Sequence, residues 1–154
     1  MAKLTFSIEI AAPPKEVFVF FVPQRMPLWF GAEMDCTFEV QAGAADFACG
    51  QKVRISGRLG RREVSLTVVI TAFQWERLLE WQFKDSYGVR GLQRWELEEI
   101  NGKTRLNMRD SYEMPGPLSR FLDRIFTRRA VAARDRAWLA RLKGLAEHTQ
   151  RTGQ

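Results

Sequence analysis

Residues 114–148, MPGPLSRFLDRIFTRRAVAARDRAWLARLKGLAEH, decide the fold. Pro115-Gly116-Pro117 breaks whatever precedes it. One helical pattern then runs from Leu118 to about His148, with Leu118, Phe121, Leu122, Ile125, Ala132, Leu139, Leu142 and Ala146 on a drifting apolar stripe. Upstream, from about Met34 to Met114, the chain reads as strands. A mostly β chain with one long terminal helix must bury that helix against its sheet, and a sheet curved around a single helix leaves volume between the two. That volume is the expected seat of function.

Working outward, Leu4, Phe6, Ile8 and Ile10 alternate with polar residues as a half-buried strand does. Ala12-Pro13-Pro14 stops the strand and opens a helix through Val22, which Pro23 ends. A short second helix is expected over Met26–Phe30. Strands follow at Met34–Gln41, Lys52–Leu59, Glu63–Gln74, Leu78–Lys84, Val89–Glu98 and Thr104–Met114, the last two joined by Asn101-Gly102, a strong hairpin signal.

At 154 residues the chain fits one domain over 1–154, large enough to bury roughly 70% of its unfolded surface. Leu4–Ile10 is interrupted by Glu9 and does not read as a signal peptide, and Val17–Val22 is too short to span a bilayer. A soluble, cytoplasmic protein is expected. Cys36 and Cys49 lack metal-ligand spacing and read as reduced small hydrophobes. With one histidine, His148, in the charged tail, histidine triads and HExxH zinc sites are excluded, and no P-loop or GxGxxG is present. Gly57–Gly60 and Gly88–Gly91 match the GxxG of RNA clamps but fall between strands, where turns explain them. No cofactor and no metal are expected.

The net charge of +6 sits wholly in residues 118–151, which hold nine basic and three acidic groups. A basic helix could meet nucleic acid or an anionic membrane, but a charged outer face is also how an amphipathic helix stays solvated. Nucleic acid is disfavoured as a partner, and a membrane surface is weakly supported.

The opening FSIEIAAPPKEVFVFFVPQRMPLW (residues 6–29) and the closing WLARLKGLAEH (138–148) resemble the START-like, or SRPBCC, superfamily, and within it the bacterial polyketide cyclase/dehydrase-like group. The resemblance covers nearly the whole chain. It implies an α+β helix-grip fold: a seven-stranded curved antiparallel sheet around a long C-terminal helix, two short helices after strand one, and an apolar cavity. It further implies a small apolar ligand, lipid- or polyketide-like, with some members catalysing cyclisation or dehydration.

Strand alternation assigns the inward faces. The candidate ligand-binding residues are Trp29, Cys36, Phe38, Leu66, Val68, Trp81, Phe83, Gln93, Trp95, Met108, Asp110 and Tyr112, with Phe121, Leu122, Ile125, Arg129 and Ala132 from the helix. Gln93, Asp110 and Tyr112 are polar members of an otherwise apolar face: they orient a ligand or meet water at a rim. If the protein is an enzyme, Asp110 and Tyr112 are its acid/base candidates, although a carrier outranks a catalyst. Asp110 is expected beside a helix arginine, Arg129, since an isolated buried charge is disfavoured. The helix middle, small and charged around Ala132 with Arg129 and Arg136 on its face, fits either an open cavity or arginines snorkelling past a closed core. The oligomeric state is expected to be monomer or homodimer.

Overall fold

The structure is a computed structural model describing residues 1–40 and 44–152, with the side chains at 125 and 150–152 outside that description. Seven strands form one antiparallel sheet: β1 (Ala2–Ile10), β2 (Thr37–Val40), β3 (Lys52–Leu59), β4 (Arg62–Gln74), β5 (Leu78–Asp85), β6 (Arg90–Ile100) and β7 (Lys103–Glu113). Their order across the sheet is β1-β7-β6-β5-β4-β3-β2. From β2 onward each strand therefore pairs with the next in sequence, and β1 closes the far edge against β7. Asn101 and Gly102 take the two left-handed conformations that a tight β6–β7 hairpin needs, with φ of 53° and 78°.

Between β1 and β2 the chain makes α1 (Pro14–Phe18) and two 3₁₀ turns, Met26–Leu28 and Ala32–Met34. The helix expected through Val22 stops four residues earlier. Phe20 and Phe21 donate to the carbonyls of Val17 and Phe18, three residues back, so the β-branched and aromatic run Val19–Val22 tightens into turns rather than continuing the helix. The second strand likewise begins at Thr37 instead of Met34, because Asp35 adopts a left-handed φ of 51° that breaks the extended run. Gln41, its expected end, lies outside the described residues.

The C-terminal segment is not one uniform helix. It comprises α2 (Pro117–Leu122), a π-helical turn over Asp123–Thr127, and α3 (Arg128–Thr152). α3 packs against β1 and α1. Its buried face is Asp135, Trp138, Leu139, Leu142 and Ala146. The upstream apolar residues of the expected stripe point to solvent instead: Leu118 is 72% exposed, Phe121 59% and Leu122 43%. The π turn adds residues without completing the α-helical phase, so one stripe cannot face the sheet on both sides of it. Through α2 and the turn, Asp123 is buried and Ser119 and Thr127 are half-buried.

The alternation-based faces of β5, β6 and β7 are the observed ones: Leu79 and Trp81, Gln93, Trp95 and Leu97, then Leu106, Met108, Asp110 and Tyr112 are buried. In β4 a bulge between Ile70 and Ala72 shifts the phase and turns Phe73 toward the core. Opposite Tyr112 stands Gly91. A Cβ there would collide with the backbone of Ser111 and Tyr112. Gly91→Ala should therefore destabilise by about 3 kcal/mol or more, roughly 6–12 °C in melting temperature. Thermal unfolding followed by circular dichroism would check this, and an unchanged melt would mean that β6 and β7 can part there at little cost.

Candidate functional site

The space between sheet and helix is divided. One part is filled by rings: Trp29, Phe30, Trp81, Trp95 and Trp138 are all buried. Trp81 and Trp95 have centroids 4.9 Å apart, Trp29 and Trp95 6.0 Å, and Phe30 and Trp138 4.5 Å. The other part is a cavity of about 400 Å³. Its apolar walls come from Ile55, Val64, Leu66, Phe83, Val89 and Met114 on the strands and their ends, and α3 closes it with Val131, Arg134 and Trp138.

One wall is polar, and its groups form a connected line. The Trp81 indole N–H donates to Gln93 Oε1 at 2.8 Å, and Gln93 Nε2 reaches Asp110 Oδ2 at 3.5 Å. An Arg134 guanidinium nitrogen lies 3.4 Å from the same oxygen and 3.2 Å from Asp135 Oδ1. The Arg134 guanidinium also stacks 4.5 Å over the Trp138 ring. Asp110 and Asp135 are 1% and 0% exposed. Asp110 Oδ1 and Asp135 Oδ2 are buried without a partner. Two carboxylates facing each other in a buried space repel, which favours a proton on Asp135. Burial first, and then the neighbouring Asp110, push the Asp135 carboxyl up to about 8 against the pull of Arg134.

At the neighbouring position of β7, the Tyr112 hydroxyl donates to Asp123 Oδ1 at 2.6 Å, and Arg128 lies 3.5 Å from the second Asp123 oxygen. Burial and the adjacent carboxylate drive the phenol well above its ordinary value. Tyr112 is therefore a fixed hydrogen-bond donor rather than a proton acceptor. Cys36 lines the cavity as a thiol, pushed up to about 11 by burial and by Glu33 and Asp35. Among the described residues no cluster of His, Cys, Asp and Glu has the makings of a metal site.

Of the candidate residues, Cys36, Leu66, Phe83, Gln93, Asp110 and Tyr112 line the cavity. Trp29, Val68, Trp81, Trp95 and Met108 are buried in the core behind it, and Phe38 packs against that core, because an inward position can be core as readily as wall. Phe121 and Leu122 point outward, and the Ile125 side chain lies outside the described residues. The helix arginine at Asp110 is Arg134, not Arg129, which is exposed. Ala132 is half-buried and off the lining, where Val131 stands instead. Arg136, placed on the cavity face by the sequence pattern, lies over the Phe6 ring on β1. Val131, Arg134 and Trp138 were missed because one stripe was drawn straight across the π turn, which puts the residues before it out of phase with those beyond. The available signal was Asp110 itself, whose inward carboxyl demanded partners on the facing helix.

The proton on Asp135 gives stability a pH dependence of definite sign. A carboxyl whose folded value is raised from near 4 to about 8 contributes stability that is fully present below its unfolded value and lost as pH rises through the folded one. Facing it are Asp110 from β7 and Arg134 from its own helix. The melting temperature should fall by roughly 5 °C or more between pH 6 and pH 9. In Asp135→Asn the side chain is neutral at any pH, so this fall should largely vanish. Parallel slopes for the two proteins in a pH series of thermal melts would refute the retained proton.

The family model described as "Polyketide cyclase / dehydrase and lipid transport" matches residues 1–147. No curated protein matches the chain. Among solved structures, protein MLL2253 from Mesorhizobium loti superposes with a TM-score of 0.74 at 16% identity, covering 96% of this chain and 98% of its own. Ara h 8.0201 gives 0.68 at 12% identity, over 94% and 98%. DynU16, from the dynemicin biosynthetic locus, gives 0.68 at 18% identity, with 99% of this chain spanning 48% of DynU16. At such identities these likenesses establish the helix-grip fold alone. With a seven-stranded sheet gripping its C-terminal helix and the family match running over nearly every residue, the chain belongs to the polyketide cyclase/dehydrase and lipid transport family of the START-like, or SRPBCC, superfamily.

Proposed function

We propose that this protein is a cytoplasmic carrier of a small apolar or aromatic molecule, lipid- or polyketide-like, held between the sheet and α3. The observation that carries this reading is the cavity: about 400 Å³, within the range of small-molecule sites, with apolar walls and one converging polar cluster. Apolar walls supply affinity through water release, and Gln93, Asp110 and Arg134 would orient a polar substituent. The family description names lipid transport, and DynU16 comes from the biosynthetic locus of dynemicin; both favour this ligand class.

A second reading is an enzyme of the cyclase or dehydratase kind. One observation favours it: Asp110 lines the cavity as a buried carboxyl held by Gln93 and Arg134. Tyr112, tied to Asp123, would serve as an orienting donor. Loss of turnover in Asp110→Asn with binding retained would favour this reading over the carrier.

A solvatochromic dye should bind saturably with micromolar affinity, about −8 kcal/mol. Val131→Trp should cut dye capacity at least about tenfold with little change in melting temperature, because the indole fills open space. Ala132→Trp, off the lining, should leave dye binding intact. No saturable binding by the native protein, and no small molecule retained in native mass spectrometry, would remove the carrier reading.

A further inference from the structure

Large exposed apolar side chains are concentrated at one end of this molecule. Leu59 is 54% exposed, Tyr87 52%, Leu118 72%, Phe121 59%, Leu122 43% and Phe126 67%. Leu59 sits at the β3–β4 turn and Tyr87 at the β5–β6 turn, while the other four follow β7. Strand pairing brings these places together. Leu59 pairs with Arg62 where β3 turns into β4, Leu66 with Asp85, and Arg90 with Glu113. The Arg62 guanidinium lies over the Tyr87 ring, and a Cβ at Gly88 would touch Pro115.

This is also the end at which the cavity meets solvent. Its exposed and half-buried lining includes Leu59, Asp85, Val89 and Met114, all from these same turns. The interior end is closed by the ring cluster.

The charge here is positive on balance. Residues 58–63, 85–90 and 113–129 hold eight arginines and four carboxylates. The carboxylates are engaged. Glu63 pairs with Arg58, Glu113 lies between Arg90 and Arg120, Asp85 accepts the backbone N–H groups of Tyr87 and Val89, and Asp123 is buried against Tyr112. A second copy docking through this end would set arginines against arginines. Monomeric proteins rarely leave a large contiguous apolar patch to water, and apolar side chains ringed by arginine match an interface that is greasy below and anionic above.

We propose that this end of the protein docks on the surface of an anionic lipid bilayer, with Leu118, Phe121, Leu122 and Phe126 entering the acyl boundary while the arginines meet the headgroups. No helix among the described residues is long and apolar enough to cross a membrane, so the association is peripheral. The proposal rests on the carrier reading in one respect. A mouth held against the bilayer lets an apolar ligand pass between lipid and cavity without crossing water, so the ligand class is one that partitions into membranes.

Co-sedimentation of the full chain with vesicles tests this. Vesicles of phosphatidylcholine mixed with phosphatidylglycerol should bind it at least about tenfold more strongly than vesicles of phosphatidylcholine alone, and added salt should weaken the binding. The double variants Leu118→Ser/Phe126→Ser and Arg61→Ser/Arg124→Ser should each lower it by about tenfold. Leu118→Ser/Phe126→Ser should still take up dye, since neither side chain lines the cavity. Equal binding to both vesicle types, binding indifferent to both double variants, or a native dimer in light scattering that Leu118→Ser/Phe126→Ser converts to monomer would each overturn the docking surface. Vesicle binding by a protein that takes up no dye would support docking while removing the carrier reading, so the two fail separately.

Discussion

The rest of the site depends on one buried charge cluster, in which Asp110 of β7 meets Arg134 and Asp135 of α3. Two buried carboxyls and one half-exposed guanidinium leave a surplus negative charge if all are ionised, and a buried surplus charge is costly. A proton retained on Asp135 cancels the surplus, and the Arg134 guanidinium, 3.4 Å from Asp110 Oδ2, joins strand to helix. The cluster thereby fixes the rotation of α3, because Arg134 and Asp135 can both reach Asp110 from only one helix face. With that face set, Val131 and Trp138, about one turn to either side, must also face the sheet. They become the cavity's helical wall.

The π turn over Asp123–Thr127 is the complement of this constraint. At its start the inward place belongs to Asp123, which accepts from Tyr112 and pairs with Arg128. A uniform α-helix would have difficulty placing Asp123 against Tyr112 and Asp135 against Asp110 while keeping Leu142 and Ala146 in the core; the wider turn absorbs the phase difference. Its consequence is that Leu118, Phe121, Leu122 and Phe126 face outward. Two polar contacts to β7 thus account for both the cavity wall and the exposed apolar surface beside its mouth.

How much could be read beforehand follows from the periodicities involved. Strand alternation is locked at two, so Gln93, Asp110 and Tyr112 could be placed inward from sequence; the bulge at Ile70 and Ala72 and the left-handed Asp35 disturb that count elsewhere. Helical phase accumulates, and one irregular turn puts the residues before it out of register with those beyond: the stripe holds at Leu139, Leu142 and Ala146 and fails at Phe121 and Leu122, and near the turn Arg129 and Ala132 were chosen where Arg134 and Val131 stand. The tryptophans failed for a different reason. Trp81 and Trp95 do face inward, but alternation cannot tell a wall from a filled interior, which is settled by Phe30 and Trp138 arriving from distant segments. No local pattern marks the exposure of Phe121 and Phe126, since an apolar helical residue reads as buried until its neighbours are known.

The division between filled and open space also has a physical cause. At the closed end the turns after α1 insert Phe21, Met26, Trp29 and Phe30 between sheet and helix, and α3 answers with Trp138, Leu139 and Leu142; bulky rings from both sides meet and exclude water. At the other end the intervening residues are small or polar. Gly57 and Cys36 sit where larger groups would project, and a Cβ at Gly57 would press on Met34 and Cys36. Asp123 turns its carboxylate to Tyr112 instead of offering an apolar side chain to the cavity. A ring cluster can seal only as far as its rings reach, and beyond Trp138 the helix presents Arg134 and Val131. The cavity therefore begins where aromatic filling gives way to the charge cluster. Its walls are accordingly part apolar and part polar.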